Sequence, residues 1–200
     1  SFVSEVLDLI KNVQIKNNDN LKEKTKKNDD DKNLKIEKNF FEEICFKTQE
    51  AISKIIELQN LELLKKGSKS EQKRLEEIRY LKAAVADELL LNTNWPGRDF
   101  FKNFLIESRL FGSSIAGEKI FSIIDEILEA PPGREPEIEQ LYLFALAIGF
   151  EGKYRKENSE KIISEIMLEL YKHFARKEPS LGPQNRDLDI GDRKVSPDAY

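Results

Sequence analysis

Apolar residues return every three or four positions along most of the 200-residue chain, and no stretch alternates apolar with polar as a half-buried strand would. That period predicts an all-α protein of about seven helices and no sheet. Phe2, Val3, Val6, Leu7, Ile10 and Val13 give a first amphipathic helix ending at about Gln14. From Lys16 to Lys38 the chain is mainly Lys, Asn and Asp, with Leu21, Leu34 and Ile36 as its sizeable apolar residues. So little apolar surface does not offset the entropy of ordering, so a mobile, solvated connector is expected there. A long helix follows from about Asn39 to Leu64, with Phe41, Ile44, Ile52, Ile55 and Leu58 on one face. Lys65-Lys66-Gly67 offers cations and a glycine cap at its end, and Ser68 with Glu71 has the spacing of a capping box for the next helix, which runs to about Asn92.

The stretch Arg79 to Trp95, RYLKAAVADELLLNTNW, leaves almost no polar face on a helical wheel, which marks a helix contacted on several sides. Asp87 and Glu88 are set into that surface, on the lines of Tyr80, Ala84 and Leu91 and of Leu81, Val85 and Asn92 respectively. At least one carboxylate is hard to keep in water. It either clamps backbone N–H groups inside the fold or waits for a partner.

Asn94-Trp95-Pro96-Gly97 breaks this helix, and the boundary between two halves, 1–95 and 96–176, is expected there. Asp99 is expected to cap a shorter helix bearing Phe100, Phe101, Phe104 and Leu105. Gly117-Glu118 opens another, stopped by Pro131-Pro132-Gly133. Pro136, amid Glu135, Glu137 and Glu139, starts a helix with Ile138, Leu141, Tyr142, Ala145 and Ile148 inward, ending at Gly149. Gly149 to Tyr154 forms a tight turn, Ser159 to Arg176 a last helix, and 177–200 a linker.

Charge and composition narrow the chemistry. A net charge of -4 and a pI near 5.4, with no basic stripe, argue against a nucleic-acid surface. No secretory leader is read at SFVSEVLDLI, and the strongest apolar run, Leu141 to Phe150, is too short to cross a bilayer. Cys45, the one cysteine, reads as a buried inert thiol, which fits a reducing compartment. His173, the one histidine, sits near a helix C-terminus, where a dipole or surface role outweighs ligation. No zinc site or Ser-His-Asp triad can be assembled. Asp87, Glu88, Glu118, Glu139 and Glu151 are candidate oxygen ligands for a hard cation, without an EF-hand or Glu-x-x-His motif, so a divalent-cation-dependent helical enzyme stands as the alternative to a non-catalytic binding or scaffolding protein with no cofactor and no metal.

Several pieces together carry a family likeness. They are the Leu- and Ala-rich helix ending Asp87-Glu88, Leu91-Asn92-Thr93 with Trp95, the Phe-rich segment, Gly117-Glu118 with Phe121, Leu141-Tyr142 with Leu146, and Gly149 to Arg155 (GFEGKYR). In this order the chain resembles the cytoplasmic domain of the DotU/IcmH/TssL family, inner-membrane components of bacterial type VI and type IVB secretion machines. The resemblance implies two small three-helix bundles in one hooked domain, facing the cytoplasm and anchored by a C-terminal membrane span beyond Tyr200. It implies a non-catalytic structural subunit that docks an IcmF/TssM-type membrane protein and the baseplate, and that can form a homodimer. It places a partner-binding role on Asp87 and Glu88, and adds Glu151 and Tyr154 as members of the matching turn. A type VI machine is favoured over type IVB.

Overall fold

The computed structural model describes residues 1–24, 30–64, 69–132, 135–155 and 158–175. Among these residues there are eight α-helical segments, one 3-10 turn and no strand: α1 (Phe2–Lys24), α2 (Asp30–Leu64), α3 (Lys69–Asn92), α4 (Arg98–Phe101), α5 (Ile106–Phe111), α6 (Ala116–Glu129), α7 (Pro136–Ala147), the turn Gly152–Tyr154, and α8 (Ser159–Ala175). The all-α expectation holds. The first helix does not end at about Gln14: the backbone is helical through Lys24 and again from Asp30, although this stretch is mostly Lys, Asn and Asp. A helix already anchored by Val6 and Ile10 at one end, or by Cys45 and Ile52 at the other, extends at propagation cost alone and needs no new nucleus. The proposed Lys-Lys-Gly end of α2, the Ser68 cap and the 177–200 linker lie outside the described residues.

Two apolar cores share one wall. In the first, Val6 and Ile10 of α1, Cys45, Ile52 and Ile56 of α2, and Phe101 and Ile106 meet Ala83, Ala86 and Leu90 of α3. In the second, Ile120, Phe121 and Ile124 of α6, Tyr142 and Leu146 of α7, and Ile163 and Leu170 of α8 meet Tyr80, Leu81, Ala84 and Val85 of the same helix. Small side chains at Ala83, Ala84 and Ala86 let neighbours approach α3 from both sides. Because Phe101 and Ile106 belong to the first core, the cores divide after α5, not at residue 96.

The end of α3 is sealed by its own continuation. The Trp95 indole N–H donates to the Leu90 carbonyl at 2.6 Å, and the Arg98 side chain donates to that of Leu91 at 3.1 Å, so two orphan C-terminal acceptors are filled. Gly97 is needed here for space: a Cβ would stand 2.4 Å from the Trp95 ring and 2.8 Å from the Cys45 sulfur. Cys45 is buried with its thiol donating to the Gly97 carbonyl at 3.2 Å, and burial pushes its pKa up to about 12. It has no thiolate to offer as a nucleophile near neutral pH.

Candidate functional site

Where the sequence suggests one short aromatic helix capped by Asp99, the structure has two, α4 and α5, with an extended Leu105 between them. Asp99 makes no cap; the N-cap position of α4 is Gly97, with no side-chain hydrogen bond. The break at Leu105 follows from Asp87. Its two carboxylate oxygens accept the backbone N–H groups of Ile106 at 2.7 Å and Glu107 at 2.9 Å, so α5 begins where a carboxylate from α3 meets it.

Glu107, placed by that clamp, repeats the operation one helix further on. Its Oε1 accepts the Tyr80 hydroxyl at 2.7 Å, the Ser113 hydroxyl at 2.7 Å and the Ile115 N–H at 2.9 Å, and its Oε2 accepts the Ala116 N–H at 3.0 Å. Helix α6 has Ile115 at its N-cap position and no cap of its own, so Glu107 supplies the missing acceptor. Glu88 works in the third direction. It accepts the Asn92 amide at 3.1 Å, the Glu151 backbone N–H at 3.1 Å and the Arg155 guanidinium at 2.5 Å, and so ties α3 to the turn before α8.

Asp87, Glu88 and Glu107 are 6, 6 and 3 % exposed, so these contacts are made in the interior. From α3 outward, buried carboxylates hold the starts of α5 and α6 and the 149–155 turn. Burial pushes the Asp87 carboxyl up to about 7, further than its two N–H donors pull it down. Burial also acts on Glu107, but its hydroxyl and backbone donors prevail and hold it below the ordinary carboxylate value.

These opposite shifts give a pH dependence of known sign. Between about pH 4 and 7 the folded chain retains a proton on Asp87 that the unfolded chain releases, so this group's contribution is full below its ordinary value of 3.8 and is lost as pH rises through about 7. Glu107 contributes above its ordinary value of 4.5, and loses that contribution only as pH falls through its lower folded value. The thermal midpoint is therefore expected to fall from pH 5 to pH 8, and Asp87→Asn is expected to flatten that slope; calorimetry across this range is the check.

The remaining candidates are scattered. Glu151 accepts the Ser159 hydroxyl at 3.1 Å, and Tyr154 packs edge-on against Phe121 with ring centroids 4.7 Å apart, both on a half-exposed turn. Gly149 and Gly152 in that turn have φ of 99° and 46°, as the sequence suggests, and a Cβ on Gly152 would stand 2.7 Å from the Gly117 carbonyl oxygen. His173 is not on the surface. It is 8 % exposed, with Nδ1 3.2 Å from Glu139 and Nε2 2.9 Å from the Ala130 carbonyl, so it ties α8 to α7 and to the end of α6. The five carboxylates considered for a cation do not assemble, and no group of His, Cys, Asp and Glu among the described residues is placed to hold a metal. No helix of the described residues is long and apolar enough to cross a membrane.

Residues 49–198 match the protein family described as "Type VI secretion system protein DotU". The chain belongs to that family. A solved structure titled "Cytoplasmic domain of TssL from Acinetobacter baumannii" is similar at 22 % identity and a TM-score of 0.44, over 68 % of this chain and 83 % of that one. No curated protein matches. The DotU match takes in α3, all three carboxylates and the turn they hold, so the relay lies wholly within the part of the chain that the family describes. Glu107 carried no local mark in the sequence. It stands in the first turn of a short helix, a common place for a solvated acid, and its partners are Tyr80 and the start of the next helix.

Proposed function

We propose that this DotU-family chain is a non-catalytic docking subunit of a type VI secretion machine, facing the cytoplasm from the inner membrane and joining an IcmF/TssM-type membrane protein to the baseplate. Membership of the DotU family over residues 49–198 is the observation that carries the reading. The all-α fold with two cores on one shared helix supports it, because such a body offers separate faces to separate partners.

Within this role Asp87 and Glu88 act from inside. Their oxygens accept N–H donors in the interior, which supports a role in setting the positions of α5 and of the 149–155 turn over direct contact with a partner. Glu151 and Tyr154, on the half-exposed turn, are the carried-over residues that remain in reach of one.

The test uses the full-length protein co-purified with its IcmF/TssM-type partner. Capture by Asp87→Asn and Glu88→Gln variants is expected to track the folded fraction measured on the same sample. Loss of capture by a variant with an unchanged melting temperature would restore direct contact through these carboxylates.

A further inference from the structure

An open groove of about 220 Å³ lies between α3 and α7, with Phe2 and Val3 of α1 in its lining. Ile78, Leu81 and Val85 form one wall, and Leu141, Phe144 and Ile148 the other. On each wall the residues recur every three or four positions over seven, which at 1.5 Å per residue makes a trough about 10 Å long, two helical turns. Leu141, expected inward, is 36 % exposed at its edge, and Phe144 is 51 % exposed.

One cation stands among these apolar side chains. Lys82 is half-buried in the groove lining, donates to the Gln59 amide oxygen at 2.7 Å and lies 5.6 Å from the centre of the Phe2 ring. Among the described residues no carboxylate stands within ion-pair distance of it; Glu5, which accepts the Gln59 amide at 3.3 Å, attracts it from further off. Desolvation holds the ammonium below its ordinary value. A partly dehydrated ammonium in contact with an amide and a ring, with Glu5 acting only at longer range, is left without a carboxylate in contact.

We propose that this groove takes the apolar face of an amphipathic helix from a partner protein, with a carboxylate of that helix paired to Lys82. The inference rests on the docking-subunit reading and names the chemistry of one of its surfaces. A trough two turns long seats side chains at i, i+3 or i+4, and i+7 of an incoming helix, and Lys82 selects the sign of the charge beside them.

The isotope-labelled chain is titrated with a synthetic amphipathic helix of about four turns, carrying Leu at i, i+4 and i+7 and one Glu beside that face, and with its twin in which the Glu is Lys. Amide signals of Leu81, Val85, Phe144 and Ile148 are expected to shift, with the Glu peptide binding about tenfold more tightly than the Lys peptide. Lys82→Glu is expected to reverse that order, and Phe144→Glu to abolish both titrations while the helical circular dichroism is retained. Absence of shifts at the groove, or an order of affinity that ignores the Lys82 substitution, overturns the proposal. So do shifts of the same amides that grow with protein concentration and without peptide, which would make the occupant a second copy. Co-purification of the full-length chain with the IcmF/TssM-type protein is read separately, so loss of the groove proposal leaves the docking-subunit reading standing.

Discussion

Replacing Asp87 by Ala is expected to lower the thermal midpoint by about 10 °C, the equivalent of about 3–5 kcal/mol in a chain of this length. The substitution leaves the N–H groups of Ile106 and Glu107 without their acceptors in the interior, and each such orphan costs about 1–3 kcal/mol. The lost ion pays back part of this, because burial had made its charge unfavourable near neutral pH. Asp87→Asn separates the two effects. Its amide oxygen accepts one N–H while its NH₂ group opposes the other, so it is expected to fall between wild type and Ala. Differential scanning calorimetry of the three proteins at one pH decides the order; an Ala variant that melts with wild type would mean the clamp contributes nothing.

Glu107→Ala is expected to destabilise at least as strongly, by about 4–5 kcal/mol, because four donors lose their acceptor at once. The damage is local in origin. Hydrogen exchange should accelerate first at Ile115 and Ala116 and in the first turn of α6, then in the second core that α6 helps to wall. Glu107→Gln keeps one oxygen but turns an NH₂ group toward a donor, so it is expected to recover only part of the loss. Tyr80→Phe removes one of the four bonds and should cost about 1 kcal/mol. Equal effects from Tyr80→Phe and Glu107→Ala would show that the helix start holds itself without the carboxylate.

Much of this fold can be read from local pattern, and the parts that cannot are those settled at a distance. The apolar period marks the helices, Pro131-Pro132 and the Asn94–Gly97 break end two of them, and the crowding around Asp87 and Glu88 shows that one of these acids needs an internal donor or a partner. The donors themselves leave no trace nearby. Asp87 caps a helix 19 and 20 positions further on, and His173 meets a glutamate 34 positions earlier, so neither the split between α4 and α5 nor the burial of His173 has a local signature. Glu107 is hidden in part for the same reason, since Tyr80 lies 27 positions before it. The helical reach of α1 and α2 into the charged stretch is not legible in composition, which weighs burial against entropy and takes no account of a helix prolonged from a packed end.

The sharing of α3 by both cores bears on how the protein can be divided. A fragment stopping at residue 95 would lay bare the side of α3 that carries Tyr80, Leu81, Ala84 and Val85, while one starting at 96 would have no central partition to fold against. Neither piece is a self-sufficient unit, so heating should melt the two lobes in a single concerted transition, and reconstitution from separately expressed pieces should succeed only where the dividing cut spares that partition for both.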